Sequence, residues 1–461
     1  TRNGSTENMG TNFKLVRTGS GDSCGIKIAE AYTASNLYPG DLQFLVRDGV
    51  PYVICHVFVE DYLYGVVPYE MSNTFPLEAL KAQAVTARTY ALRRMASASG
   101  NYYDLRDTTS DQVYRGTPGG YSSSKDAVDG TAGQVLMYGS DYCVVYYSSS
   151  NGGQTESAEH AWGGSGSVYL SLKDDPYDLA NPSATVRQAT IYSTFTNNSA
   201  VLQSLLAQRL SAQQGVSASI TTIESVTPES PRYALPSRLY TQMRFMLRCN
   251  NGQAYAVTVP IFGTLDGTLG LSMSGLQNEL FTVATTSAGF RIMARRYGHG
   301  VGLSQYGASQ MASEGMNYLT ILGFYFNGAT LVQHNFIHED GTVTPTASPT
   351  ATTPGTGLGQ ATVVLSNPNN NLNLRSQPNT KATVLAGIPN GAVVTVYAVN
   401  DGWAQVRYGG LSGYVSTAFL QFGTTGPTAA PNMNTAVVAL ASGSLNLRAR
   451  ESVTADRLTS I

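Results

Sequence analysis

Charge is scarce in this chain. Of its 461 residues, 13% are Asp, Glu, Lys or Arg, about half the usual share, and the formal net charge is −2. No global field of either sign results, which excludes recognition of nucleic acid or of an anionic membrane by bulk electrostatics. Histidine is limited to five residues, and these share no ligand spacing, so no metal and no cofactor is expected. No apolar run approaches about 18 residues, which excludes a helical membrane span within this stretch. The four cysteines, Cys24, Cys55, Cys143 and Cys249, form no CxxC pair. That spacing favours isolated buried thiols, with Cys24–Cys55 the first disulfide to test if the protein is exported. The opening "TRNGSTENMG" has neither an initiator Met nor a signal peptide, and is expected to be the start of a mature or trimmed chain.

Apolar residues, by contrast, make up 42%, enough for well-packed cores. The surface therefore falls to 28 tyrosines and to Ser, Thr, Asn and Gln. Such a surface suits neutral, hydroxyl-rich ligands such as glycans, and is also common in exported proteins. The length predicts two or three domains.

Two Thr/Pro/Gly tracts divide the chain: "EDGTVTPTASPTATTPGTGLGQ" (339–360) and "GTTGPTAAPNMN" (423–434). Both read as extended linkers. They isolate a first domain over 1–338, a module over 361–421, and a tail over 435–461. The module is a series of short strands broken by turn residues, the pattern of a small all-β barrel. Its phrases "LNLRSQPNT", "GAVVTVY" and "DGWAQVRYGGLSGYVS" resemble a bacterial SH3 module of the cell-wall type. The tail repeats one of them, "LNLRAR" (445–450), and is too short to close another barrel. It is expected to be a partial second repeat of a protein that continues.

The first domain opens with alternating runs, "DLQFLV" and "PYVICHVFV", that predict antiparallel strands. "ALKAQAVTARTYALRRM" predicts a helix, with Pro76 in its first turn, Asn73 or Thr74 as cap and Gly100 past its end. Further strands and a helix after Ser304 give an α+β class. The region 181–239, with the helical "NNSAVLQSLLAQRLSAQQ", carries no chemical signature and is expected to be scaffold, an inserted subdomain.

Charges sit oddly on the first helix. At about 100° per residue, Lys81 and Arg88 fall inside the arc of Leu80, Ala84, Ala87 and Ala91, whereas Arg93 falls opposite. Either they snorkel along the core edge or they line a site. Glu70, in the apolar phrase "VVPYEM", has two readings as well. Burial raises a carboxylate toward acid–base use; the positive end of a following helix lowers it.

Two other stretches carry polar chemistry. In "RRYGHGVGLSQYGASQ", the glycines 298, 300 and 302 do not make a dinucleotide loop, because Leu303 stands where the last glycine belongs. Ser304 can cap the following helix. His299 between glycines implies close approach of substrate or of a neighbouring segment; taken alone, it is more often structural. The stretch "VVYYSSSNGGQTESAEHAWGG" places a polar, Gly-rich loop and Trp162 after a strand, suited to stacking on a sugar.

Together the phrases "DYLYGVVPYEM", "FPLEALKAQAVTARTYAL", "DQVYRG", "AVDGTAGQVLMY", "SSSNGGQTESAEHAWG", "GHGVGLSQYGA" and "YLTILGFYF" resemble, in order, the SpoIID/LytB family, the stage II sporulation protein D type. The resemblance covers about 41–327. It implies a lytic transglycosylase that cleaves peptide-stripped peptidoglycan glycan strands and leaves 1,6-anhydro-muramic ends, with Glu70 as the catalytic acid and then base. It implies substrate contacts at Lys81, Arg88, Gln112, Tyr147, Ser149, Glu156, His299, Ser304, Gln305 and Tyr306. Glu156 is also the one acid expected to approach Glu70 in space. Some relatives hold zinc near the "SSSNGG" loop; this chain has Ser148, Ser149, Ser150 and Asn151 there, so no zinc is expected. Where the family often has Trp after "SQ", Tyr306 keeps an aromatic plane. The resemblance further implies an extracytoplasmic, wall-associated or secreted protein, with a wall amidase as possible upstream partner. Its rival is a non-catalytic amidase enhancer that binds the wall.

Overall fold

The computed structural model describes residues 8–19, 24–28, 35–98, 101–164, 166–336, 359–365, 367, 370–375, 380, 384–400, 403–408, 411–422, 435–441 and 444–450. The two expected linkers lie outside the described residues, except Gly359 and Gln360, which open a strand. The chain divides into two compact units, 1–144 with 328–461, and 145–327. The class is α+β, with antiparallel sheets and few helices.

In the first unit, Asn12–Leu15, Gly40–Arg47 and Val50–Val57 form an antiparallel sheet, as the alternating runs predict. The tail strands Thr435–Ala441 and Ser444–Arg450 pair as a hairpin. That hairpin adds to the same sheet along Val50–Val57 and meets Leu105–Arg106 on its other side. Helices α1 (Val59–Leu63), α2 (Val67–Glu70) and α3 (Leu77–Ser97) follow the sheet, and α4 (Ser122–Asp129) comes later.

Helix α3 is central. Ala79, Leu80, Ala82, Ala84, Val85, Ala87, Ala91 and Leu92 are buried, and so are Thr86, Arg88 and Thr89. Its alanines permit close approach from several sides, and a helix buried nearly all round loses its solvent face. Thr86 and Thr89 satisfy their hydroxyls on Ala82 O and Val85 O one turn back. Neither Asn73 nor Thr74 caps the helix; Pro76 stands at the cap position without a side-chain bond. Asn73 instead accepts from Ser124 N at the start of α4.

The C-terminal module is a seven-stranded antiparallel sheet over 359–422, consistent with an SH3-like barrel. Its core joins Val363, Leu374, Ile388, Val394, Val396, Val406 and Val415. A cavity of about 380 Å³ opens among Asn367, Asn371, Asn373, Arg375, Trp403 and Phe419.

In the second unit, α5 (Ala158–Trp162) and α6 (Pro176–Ala180) precede a two-sheet core. One sheet is Ile220–Pro231, Tyr240–Cys249 and Ala254–Pro260; the other is Val186–Tyr192, Leu280–Thr286 and Gly289–Arg295. Helix α7 (Ala200–Gln214) is capped by Ser199 and closed by left-handed Gly215. It buries the stripe Leu202, Leu206 and Leu210, the i, i+4 spacing of one face. The core it shares runs from Ile191 to Ala294, so it extends well past the 181–239 bounds expected for an insert. Helices α8 (Asp266–Leu269), α9 (Gln305–Ser313) and α10 (Tyr318–Tyr325) complete the unit. All four cysteines are free; Cys24–Cys55 is not a disulfide.

Candidate active site

In the first unit, Glu70 ends the one-turn helix α2, which Pro68 starts well because its missing N–H has no intrahelical partner to lose. The carboxylate is half-buried, and its Oε1 accepts from Val113 N at 2.7 Å. A neighbouring side chain fixes that donor. Gln112 is fully buried, donates to Ala87 O of α3 at 3.2 Å and accepts from the Tyr62 hydroxyl at 3.2 Å. Gln112 therefore anchors the loop that holds Glu70, and does not present its amide to a ligand. Tyr69, next to Glu70, is tied by its hydroxyl to the Asn36 amide.

Lys81 keeps part of its surface open and pairs with Glu78 at 2.7 Å. Arg88 does not line a groove. It is 0% exposed, with Nε on Glu60 Oε1 at 2.8 Å and Nη2 on Glu60 Oε2 at 2.6 Å. Nη1 adds Gln134 O at 3.2 Å, and Gly133 N also donates to Glu60. The fork is filled on every side by protein, which corrects both readings of this residue: it neither snorkels nor faces a ligand.

The second unit gathers Tyr147, Ser149, Glu156, His299, Ser304, Gln305 and Tyr306 around two loops. Tyr147–Ser148 pairs in parallel with Leu303–Ser304, and Tyr306 N donates to Ser149 O at 3.0 Å. The glycines between them are set by close approach of neighbouring chain. Gly302, at φ +73°, would drive a Cβ to 2.2 Å from Tyr146 O, and Gly298, at φ +102°, would bring one to 2.8 Å from Ser148 Cβ. A Cβ on Gly300, at φ +76°, would come within 2.9 Å of Arg296 Nε.

Ser304 caps α9 by accepting from Gly307 N at 3.1 Å, as its position predicts, and its hydroxyl donates a hydrogen bond to Asp178 Oδ2. Its hydroxyl is thereby spent, and Gln305 beside it is buried. Both are scaffold in this geometry. Asp178 also accepts from Ser150 Oγ at 2.9 Å and Asn151 N at 3.1 Å. Burial pushes its pKa up, while the Ser304 and Ser150 hydroxyls pull it down. Asp175 caps α6 and takes the Asn151 amide at 2.6 Å and the Tyr325 hydroxyl at 2.7 Å.

Glu156 is buried as well. Its Oε2 meets Arg296 Nη1 at 3.1 Å, and its Oε1 lies 2.8 Å from His160 Nδ1. With both oxygens engaged it is neither a second acid nor a direct substrate contact. His299 accepts from Val301 N through Nδ1 at 3.0 Å. Burial lowers its pKa to about 4, against a backbone contact with Tyr147 that favours the charged form. It is neutral near pH 7 and packs against Trp162 at 5.1 Å and Tyr146 at 5.9 Å. Trp162 keeps 53% of its surface exposed. Tyr147, Ser149 and Tyr306 remain partly open.

The residues that hold these loops were not singled out by the sequence: Asp175, Asp178, Arg296, and His160 with Tyr233. Only the caps carry a local signal, an acid directly before the Pro176 of α6.

A family model described as "Stage II sporulation protein" matches residues 48–138, and one described as "Bacterial SH3 domain" matches 370–421. Stage II sporulation protein D of Bacillus subtilis is 31% identical over 290 residues, covering 59% of this chain and 74% of that one. An uncharacterized protein of Brachyspira hyodysenteriae is 30% identical over 311 residues, 66% of this chain and 74% of that one. The chain belongs to the stage II sporulation protein D family. Within it, the chain is also similar to the amidase enhancer of Bacillus subtilis, 31% identical over 300 residues, though the match spans only 40% of that protein's length. Family membership and the SH3 module tie the chain to a bacterial cell-wall function.

Proposed function

We propose that the protein is a peptidoglycan lytic transglycosylase acting on peptide-stripped glycan strands outside the cytoplasm. The observation that carries this reading is Glu70: a half-buried carboxylate fixed by the Val113 N–H through a loop that Gln112 anchors to α3. A carboxyl group held in place by a backbone N–H can take both forms in one cycle. Protonated, it donates to the glycosidic oxygen as the bond from muramic C1 breaks. As carboxylate, it takes the proton of the C6 hydroxyl, whose oxygen closes onto C1 to give the 1,6-anhydro ring. No water is added, so the second carboxylate that hydrolysing glycosidases use is not required. That agrees with Glu156 being engaged by Arg296 and His160. Lys81, Tyr147, Ser149, His299 and Tyr306 are the remaining substrate contacts of this reading, with Trp162 as a stacking surface. The C-terminal module tethers the enzyme to the wall and raises its local concentration.

The test is incubation with peptide-free glycan and mass spectrometry for anhydro-muramic ends. Their formation by the parent chain and loss in Glu70→Gln supports the proposal. The relative named amidase enhancer favours a second reading, a non-catalytic wall binder that stimulates an amidase. That reading predicts no anhydro ends and faster amide cleavage when an amidase is added.

A further inference from the structure

Helix α5 presents an imidazole that the fold supports more heavily than packing requires. Arg296, 0% exposed, also donates to Asn151 O at 3.1 Å and Gln154 O at 2.9 Å. It thereby holds the buried Glu156 carboxylate, which in turn sits 2.8 Å from His160 Nδ1. A carboxylate accepts only, so in the neutral ring Nδ1 carries the proton and Nε2 keeps its lone pair. The His160 side chain is 28% exposed, and among the described residues no group bonds Nε2.

The ring also has a wall. Tyr233 stacks on it at 3.8 Å with planes 6° apart, and the Tyr233 hydroxyl donates to His160 O. Tyr233 comes from the hairpin loop between Ile220–Pro231 and Tyr240–Cys249. That loop is pinned to the glycine-rich stretch by Gln154 Nε2 on Pro236 O at 3.0 Å, Arg238 N on Gln154 Oε1 at 2.9 Å, and Arg238 Nη2 on Gly153 O at 2.7 Å. The region taken from sequence as plain scaffold thus delivers an aromatic side chain to α5, the helix that ends in Trp162.

We propose that His160 and Tyr233 form a saccharide-binding subsite, in which the outward Nε2 of His160 accepts a hydrogen bond from a hydroxyl or acetamido N–H of an N-acetylated sugar. The pair is flat, and the neutral ring carries a fixed acceptor, which fits a sugar's hydroxyls and apolar face. The subsite rests on the glycan reading above and adds to it a substrate contact on α5. His160 binds in this proposal and takes no part in bond cleavage.

The experiment is calorimetric titration of the full chain with peptide-free glycan strands in a Glu70→Gln background, where no turnover confuses binding. His160→Asn keeps a side-chain N–H at the Nδ1 position for Glu156 but removes the outward acceptor. Binding should weaken about 3- to 10-fold, the worth of one hydrogen bond, with an unchanged melting temperature. His160→Gln, which returns an oxygen near the Nε2 position, should recover at least half of that loss, and Tyr233→Leu should weaken binding to a similar extent. Parental affinity in His160→Asn overturns the subsite. So does equal weakening in the Asn and Gln variants together with lower melting temperatures, or no glycan binding by the Glu70→Gln parent. Absence of anhydro ends from the chain with Glu70 intact would defeat the transglycosylase reading and leave this titration as it stands.

Discussion

Two glutamates of this chain are each held by a fully buried arginine, and the two assemblies end in different places. Glu60 takes Arg88 through both oxygens and Gly133 N besides, and nothing in the set reaches solvent. Glu156 gives one oxygen to Arg296 and the other to His160, whose ring is part-exposed. The first assembly closes on itself and joins α1, α3 and the segment before Gln134–Tyr138 into one core. The second runs from buried guanidinium to open imidazole. A buried ion pair therefore says little about a site until its far end is followed. Glu70 belongs to neither assembly: its half-buried carboxylate is held by the Val113 N–H.

That last distinction gives the largest expected effect. Glu70→Gln should lower formation of anhydro ends by about 10²- to 10⁴-fold, because the amide keeps the shape but supplies no proton. Circular dichroism and melting should match the parent. Undiminished turnover would remove Glu70 from the mechanism.

Arg88→Met sharpens the closed assembly. It strands Glu60 in the core and should cost about 3–5 kcal/mol of stability, seen as a marked fall in melting temperature. The double variant Glu60→Leu, Arg88→Met should regain most of that loss, since no charge is left unpaired. From the helix periodicity alone, Arg88 passes for a surface or site residue whose loss would leave melting unchanged. A melt of Arg88→Met that overlays the parent would restore that view.

Arg296→Met tests the open assembly in two readouts. Stability should fall, again by about 3–5 kcal/mol, and glycan affinity should fall with it, because His160 loses the held carboxylate. In Arg88→Met, measured well below its melting temperature, affinity should hold. A loss of affinity in both variants, or in neither, would erase the distinction between the assemblies.

The smallest effect concerns pH. Burial holds His299 at about 4, below the ordinary 6.5. Between those values the unfolded chain takes up a proton that the folded chain refuses. Stability from this group is full above pH 6.5 and drains as pH falls toward 4. His299→Gln should flatten that part of the melting-temperature profile; an unaltered slope would assign it to other groups.

Much of this architecture is legible in the sequence, and the limits have physical causes. Alternation in Gly40–Arg47 and Val50–Val57 declares strands, and the alanine-rich run free of Gly and Pro declares α3. Ser304 announces its cap because capping is local. The oddity of Arg88 is visible too, since a charge inside an apolar arc needs a partner. The partner, Glu60, lies 28 residues away, and no local pattern links them. Arg296 and Glu156 are 140 residues apart, and Tyr233 reaches His160 from a hairpin tip 73 residues on. Such pairings are fixed by how sheets and loops dock, which periodicity does not encode. Gln112, Glu156 and Ser304 are expected from the resemblance to contact substrate, yet their polar atoms are spent on the protein's own chain.

The glycines of "GHGVG" bear on how relatives of this chain can be told apart. Each is required by the neighbour it lies against, Ser148, Arg296 or Tyr146, whatever Glu70 does. A descendant that lost the proposed proton donor and kept only a binding role would still fold through the same tight crossing, and would still spell the phrase. The phrase therefore traces ancestry of a scaffold, while the proposed chemistry rests on a single glutamate elsewhere in the chain.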